Sequence, residues 1–590
     1  MYIQSPYPAL PRLPEVNVHN VMFGRENQAG WWPDYTIHIE AKTGRERTYK
    51  ELMNAIAVGA TALGASVSAG GLGLNGDGDE IIGMLGDNSL EYYDLVVSLL
   101  RITTPFALIS THSTHFELVH ALKLTKATRI FVDPKLLKNV VAAIEDPDVH
   151  ITRDKVYIMS GPSVHGRKSF SQMVATIKRK RVTVEPVRPA TAHTLAYLVM
   201  SSGTSGLPKA VMITHGNIIC STFQGITTNF WTNGAQPVTT QPVAICPLPM
   251  FHTFGLHSYI LRSTLSPTTY VILGSWNTTQ YLKAISRYRP RNLTLVPSLV
   301  HQLLTHPDIK TTDFSSVVTV ASGAAYLPPE LAAQLGRYLK AQSTIRSGIL
   351  FQPTSCCIAY ISAGYGLSEA TLGAVTPPLP EGMPGMGPPP PNTAGILLPG
   401  LEARIVRDDG TDAARGEVGE LWLRGGNIAP GYWNNPEANA KTFVDGGWLR
   451  TGDQFRTDDK GYLFFADRAK DTLKISGVQV SPKEIEDVLL AQPDKLITDV
   501  SVAGVSGGRT SDEKVPRAWI VLSAAGTKKG EAAVIKILEA WHQKALSKYK
   551  WLRGGIEVVK EIPKTPTGKT MRRVLQDQYE LRAKKATAKL

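Results

Sequence analysis

Short apolar runs alternate along this chain with polar stretches in which apolar positions return every three or four residues. That alternation predicts strand followed by helix, repeated. Arg47-Thr48-Tyr49 opens an amphipathic helix through about Leu63. Ile81 to Leu85 reads as a buried strand, and Asn88 or Ser89 then caps a helix to about Leu100. Further buried strands follow at Arg129 to Val132, Val243 to Leu248, Leu293 to Val296 and Val317 to Ala321. Strands of this kind separated by helices imply α/β architecture around a largely parallel sheet. Pro377 to Pro391 ends in four consecutive prolines and must be an extended loop. Beyond it the pattern changes. Leu401 to Arg407 and Glu420 to Arg424 alternate as antiparallel strands do, and near Asp467 a smaller unit of about 120 residues begins.

At 590 residues the chain needs at least two cores. The net charge of +13 is partly local, since Trp541 to Leu590 carries 13 Lys/Arg against 4 Asp/Glu. Such a tail suits nucleic acid or a polyphosphate ligand. It lacks the interleaved aromatics of a stacking platform and any recognised nucleic-acid module, so nucleic acid is not expected. Cys220, Cys246, Cys356 and Cys357 form neither a metal spacing nor a disulfide framework, so a reducing intracellular compartment is expected. The N-terminus has no signal-peptide pattern, and no apolar run reaches the length of a membrane span. Ala588-Lys589-Leu590 is a close variant of the Ser-Lys-Leu peroxisomal address, at the end of a polar tail expected to be mobile. The expectation is a peroxisomal protein met by an import receptor, or a cytoplasmic one if the address is not used.

Two motifs are set aside. Gly71 to Gly76 satisfies GxGxxG, but no strand leads into it and no helix opens from it, so it reads as a solvent loop. His112, His115 and His120 match no zinc spacing and read as one face of a helix.

Tyr197 to Asn217, YLVMSSGTSGLPKAVMITHGN, is different. A loop rich in Ser, Thr and Gly lies between two apolar runs. Gly203 and Gly206 let the backbone bring N–H groups close to an anion. Ser201, Ser202, Thr204 and Ser205 add hydroxyl donors, and Lys209 adds a mobile cation. The spacing is not that of a Walker A loop, since Lys209 stands three residues after Gly206. The residues have the layout of a loop that grips phosphate; taken alone they also fit a glycine-rich surface loop.

Four more stretches join it: Gly364-Tyr-Gly-Leu-Ser-Glu369, Gly447-Trp-Leu-Arg-Thr-Gly-Asp453, Asp467-Arg-Ala-Lys-Asp471 and Pro563-Lys-Thr-Pro-Thr-Gly-Lys569. In this order the set resembles the adenylate-forming superfamily of acyl-CoA synthetases, 4-coumarate–CoA ligases and luciferases, over roughly residues 45 to 575. The resemblance implies a large N-terminal domain (1–466) of stacked α/β subdomains with a small β-barrel subdomain. A hinge at 467–471, with Lys470 as pivot, and a small mobile α/β C-terminal domain (472–590) would follow. It implies ATP, Mg²⁺ and CoA, and a reaction in two steps: carboxylate and ATP give acyl-AMP and pyrophosphate, then a thiol displaces AMP. A carboxylate must there attack another anion, so cations and backbone donors have to offset the repulsion.

By the same resemblance, Ser201 to Lys209 cradles the β- and γ-phosphates, and Glu369 with Thr204 holds Mg²⁺. Ser368 contacts the α-phosphate, Tyr365 lies against adenine between Gly364 and Gly366, and Gly323-Ala324-Ala325 line the adenine and acyl sites. Asp453 and Arg468 take the ribose. Lys569 bridges the carboxylate and the α-phosphate in the first step. Lys474 and Gly477 face the pantetheine arm in the second, and His252 gates the acyl pocket. Three departures stand out: Ala210 where Gly is common, Ala363 where Gln is common, and a longer segment from Ala341 to Ile361. The expected activity is an acid–CoA ligase for an aryl, phenylpropanoid or medium-chain acid. Alternatives are loading of a carrier protein in trans, a luciferase-like oxygenase, or a regulator that only binds nucleotide.

Overall fold

The computed structural model describes residues 1–24, 34–76, 80–201, 207–233, 241–317, 319–323, 334–339, 364–378, 383, 386–390, 393–407, 409–468, 473–475, 478–480, 482–507, 514–563 and 572–587. They form two compact units. The first comprises 1–111, 122–200 and 210–467; the second comprises 468–590 together with 112–121 and 201–209.

The first unit is built from two six-stranded sheets of α/β type and one antiparallel sheet. In one sheet the strands Val156–Ile158, Arg129–Val132, Ile82–Leu85, Phe106–Leu108 and Leu195–Ser201 pair parallel in that order, and Lys209–Thr214 adds an edge. In the next, Thr319–Ser322, Asn292–Leu295, Val243–Cys246, Thr269–Ile272 and Thr36–Glu40 run parallel, and Glu46–Thr48 closes the edge antiparallel. The third contains Tyr2–Gln4, Glu402–Val406, Gly419–Arg424, Trp448–Thr457, Phe443–Val444 and Leu463–Arg468. Where the β-barrel subdomain is expected, this sheet is extended by a bridge from Leu463 to Gly395, beside the Val375–Thr376/Ile396–Leu397 pair.

Local sequence explains the helices. Thr48 and Glu51 make a reciprocal capping box at the start of Tyr49–Gly64, each satisfying a backbone N–H that the helix leaves open. Ser89 caps Leu90–Arg101 from one side only, by accepting from the Tyr92 N–H. These two helices pack on each other over a continuous apolar core that includes Leu52, Ile56, Tyr92, Leu95 and Leu99. Gly71 to Gly76 has neither helix nor strand. Cys220 and Cys246 are free and buried.

In the second unit, Ile497–Ser506 and Lys514–Leu522 pair antiparallel, and Ile556–Val558 adds parallel to the latter. Helices Pro482–Leu490 and Glu531–Ala545 cover this sheet with Val488, Leu489, Val534 and Leu538 inside. The Lys550 ammonium is buried between the carboxylates of Glu484, at 2.8 Å, and Glu117. A buried ammonium needs such partners to offset its lost hydration.

Two expectations are corrected. The histidine group does not share one helix face, because the helix is His115–Thr125 and His112 lies in the turn before it. His120 Nε2 is 2.9 Å from the Pro208 carbonyl. The polar tail is not a loose strand of chain: Arg572–Thr587 is a helix whose Leu575 is buried against the core that holds Trp519. Polar residues outnumber apolar ones there, and the few apolar positions that anchor it are easily passed over. Among the described residues no helix is long and apolar enough to cross a membrane.

Candidate active site

The site in the first unit is organised by the chain from Gly364 to Val375, which leaves Tyr365 and doubles back onto it. Tyr365 N–H donates to the Val375 carbonyl at 2.9 Å, and the Val375 N–H returns a bond to Tyr365 at 3.0 Å. Between them Ser368–Ala370 makes one 3₁₀ turn. Gly366 is required by this return: a Cβ there would sit 1.8 Å from the Leu372 carbonyl oxygen. Thr371 and Leu372 carry φ of 50° and 103°, in the left-handed region that side chains disfavour. The surroundings over-determine them. The Ser221 hydroxyl donates to the Thr371 carbonyl, the Thr371 hydroxyl donates to the Asn427 carbonyl, and the Asn427 amide donates to the Ala370 carbonyl.

The loop presents two buried carboxylate partnerships. Glu369 is 6% exposed and its Oε1 accepts from the Tyr432 hydroxyl at 2.9 Å. Burial, and then the Glu369 charge, push the Tyr432 phenol far up, so it stays a donor. At the other end of the turn the Tyr365 hydroxyl donates to Asp453 Oδ2 at 2.8 Å. Asp453 is 5% exposed, and the Tyr365 ring stands edge-on to Phe455 with centroids 4.8 Å apart. Two tyrosines thus fix the direction of two carboxylates linked through one short turn.

A third wall comes from Pro249 to Leu256. His252 caps the short helix Thr253–Leu256, its Nδ1 accepting the Phe254 N–H at 3.3 Å. The ring is reached by solvent although protein surrounds it, and desolvation lowers its pKa. With Nδ1 accepting, the neutral ring carries its proton on Nε2. Thr253 and Ser368 pair their hydroxyls at 3.2 Å, joining this wall to the turn. Gly323 packs so close to Phe254 that a Cβ would meet the ring at 2.8 Å.

The structure therefore gathers His252, Gly323, Gly364, Tyr365, Gly366, Ser368, Glu369 and Asp453. Ser201 ends one strand and Lys209 begins the next, in the second unit. Ala210 is fully buried against Ile81, Ala107 and Leu198, so its methyl fills a core. Lys474 stands opposite Gln479 in the backbone register of two short antiparallel strands, and Arg468 ends the strand Leu463–Arg468. Ser202, Gly203, Thr204, Ser205, Gly206, Ala324, Ala325, the 341–361 segment, Cys356, Cys357, Ala363, Lys470, Gly477, Lys569 and Ala588-Lys589-Leu590 lie outside the described residues.

Sequence reasoning passed over Tyr432, Asn427 and Thr253. Tyr432 is bridged to Val211, and its backbone is clamped by the Asn439 side chain, with Asn439 Oδ1 accepting from its N–H at 2.6 Å. Its only sequence signal is a tyrosine directly after Pro430-Gly431, which resembles any turn. Asn427, fully buried, carried none.

The AMP-binding enzyme family matches residues 26–433, and the AMP-binding enzyme C-terminal domain matches residues 484–569. The chain is 30% identical to 4-coumarate–CoA ligase-like 4 of Oryza sativa subsp. japonica over 96% of its own length and 93% of that protein. It is 28% identical to peroxisomal OPC-8:0-CoA ligase 1 of Arabidopsis thaliana over 91% and 89%. The solved amide bond synthetase McbA from Marinactinospora thermotolerans shares the fold at a TM-score of 0.71 and 22% identity, covering 96% of this chain and 99% of that one. Motifs, fold and relatives agree, and the chain belongs to the AMP-binding enzyme family, in the adenylate-forming superfamily of acyl-CoA synthetase-like enzymes.

Proposed function

We propose that the protein is an ATP-dependent acid–CoA ligase that works through an acyl-adenylate. The observation that carries this reading is the pair of buried carboxylates, Asp453 and Glu369, each held by a tyrosine hydroxyl on or against one short turn. A carboxylate acceptor fixed in this way suits the paired hydroxyls of a ribose. Tyr365, edge-packed on Phe455, has the rigidity an adenine platform needs. The Ser368 hydroxyl, steadied by Thr253, serves the α-phosphate.

Glu369 is a hard oxygen ligand of the kind magnesium takes, and we assign it with Thr204 to that ion. When bound, the ion supplies positive charge against the phosphate oxygens. In the first step a substrate carboxylate oxygen bonds to the α-phosphorus while the bond to the pyrophosphate oxygen breaks. Lys569 places its ammonium between the two anions, and Ser201 to Lys209 hold the departing phosphates. In the second step the CoA sulfur bonds to the acyl carbon and AMP leaves, with Lys474 and Gly477 beside the pantetheine. The packing of Phe254 on Gly323 favours a flat aryl or slender acyl substrate. A fold shared with an amide bond synthetase does not by itself select the acceptor. Where Ala588-Lys589-Leu590 forms the free end of the chain, we read it as a peroxisomal address.

Lys569→Ala tests the assignment of the two steps. It should abolish acyl-AMP formation from free acid and spare thiolation of supplied acyl-AMP. Equal loss of both would overturn it.

A further inference from the structure

Asp453 does not sit in a regular ladder. The strands Gly419–Arg424 and Trp448–Thr457 are in register at Gly419↔Phe455 and Glu420↔Gln454, then again at Trp422↔Arg450 and Leu423↔Leu449. Leu421 alone therefore stands opposite Thr451, Gly452 and Asp453, so the second strand carries two extra residues. Such a bulge bends its strand and re-aims the side chain on it. Gly452 takes a φ of 73°, which a Cβ would oppose.

The bulge is pinned from the partner strand. Glu420 Oε1 accepts the Gly452 N–H at 3.0 Å, and Glu420 Oε2 accepts from Arg450 at 2.8 Å. The Arg450 guanidinium lies over the Trp422 ring at 5.4 Å, which keeps it in place. The Thr451 hydroxyl donates to the Leu421 carbonyl at 2.6 Å and accepts the Asp453 N–H at 3.1 Å. Three backbone groups of the bulge, the Gly452 and Asp453 N–H and the Leu421 carbonyl, thus bond to the Glu420 or Thr451 side chain. Glu420 is only 13% exposed at its side chain.

We propose that Glu420 is a positioning residue for Asp453. Its carboxylate holds the Gly452 peptide and so sets where the Asp453 carboxylate meets the ribose. The proposal rests on the assignment of Asp453 to the ribose hydroxyls. Without Glu420 the Gly452 N–H loses its acceptor and the bulge relaxes toward the ladder.

The test measures the binding of ATP and of 3′-deoxy-ATP to the full-length protein by calorimetry. Wild type should prefer ATP. Glu420→Ala should weaken ATP roughly tenfold, the scale of one hydrogen bond to a charged group, and leave 3′-deoxy-ATP nearly unchanged. Glu420→Gln keeps an acceptor oxygen for Gly452 and should retain most of the preference. Should Glu420→Ala not fold, Thr451→Val loosens the same bulge and should lose the preference in its place. Asp453→Ala separates the two claims. If wild type shows no preference, or Asp453→Ala keeps it, the ribose assignment fails. If Asp453→Ala loses the preference while Glu420→Ala and Thr451→Val keep it, the positioning role is overturned.

Discussion

Tyr365→Phe removes one oxygen and leaves the aromatic packing in place. The lost hydroxyl donates to Asp453 Oδ2 at 2.8 Å, while the ring keeps its edge-on contact with Phe455. Asp453 is 5% exposed, so water replaces the donor poorly. A hydrogen bond to a charged group contributes about 1.5–3 kcal/mol, and about 2 kcal/mol is the expected loss. The first unit spans roughly 450 residues. At about 2.1 cal/mol/K per residue its unfolding entropy is on the order of 1 kcal/mol/K, so its Tm should fall by about 2 °C. The carboxylate, freed to turn, should also bind ATP about three- to tenfold more weakly by calorimetry. Scanning calorimetry with and without ATP reads both effects. A fall of more than about 6 °C would exceed what one hydrogen bond supplies and would refute the assignment of the loss to the hydroxyl. No change in either quantity would refute the coupling of Tyr365 to Asp453.

Gly366→Ala should be far more damaging, because its Cβ meets a backbone carbonyl at 1.8 Å that cannot rotate away. A loss of about 3 kcal/mol or more, with ATP binding abolished, is expected, and a variant of normal Tm and affinity would contradict the loop geometry. Acid should destabilise the first unit through two buried neutral histidines. Burial lowers His215 to about 4, and burial with the Arg101 charge lowers His19 to about 3. These folded values lie below the unfolded value near 6.5, so stability is full above pH 6.5 and falls as pH drops toward 4. By pH 5 each costs about 2 kcal/mol, and a Tm equal at pH 7.5 and 5 would rule this out. Deleting Leu590 should leave activity intact and send a fluorescent fusion from puncta to the cytosol; unchanged puncta would dismiss the address.

Much of the frame was legible because it is local. Thr48 with Glu51, Ser89, and the apolar runs at Ile82–Leu85 and Arg129–Val132 each state their structure within a few residues. The tail helix Arg572–Thr587 was missed because Leu575 and Tyr579 declare themselves only against Trp519. The site was legible as a list of residues and not as a geometry. Tyr365, Glu369 and Asp453 appear in motifs, but their tyrosine partnerships join positions 88 and 63 residues apart. The bulge that aims Asp453 was illegible for a firmer reason. Glu420 lies on the polar side of an alternating strand and reads as surface, and register belongs to two strands together. Asn427 braces the strained Thr371 from far along the chain, and no pattern around either residue announces it.

Acid–CoA ligation is tested most directly by pyrophosphate release from Mg·ATP across aryl and C6–C18 carboxylic acids, with and without CoA, alongside ATP binding by the same sample. Release should depend on the acid, with a CoA thioester formed when CoA is present. A sample that binds ATP yet releases no pyrophosphate with any of these acids would contradict it.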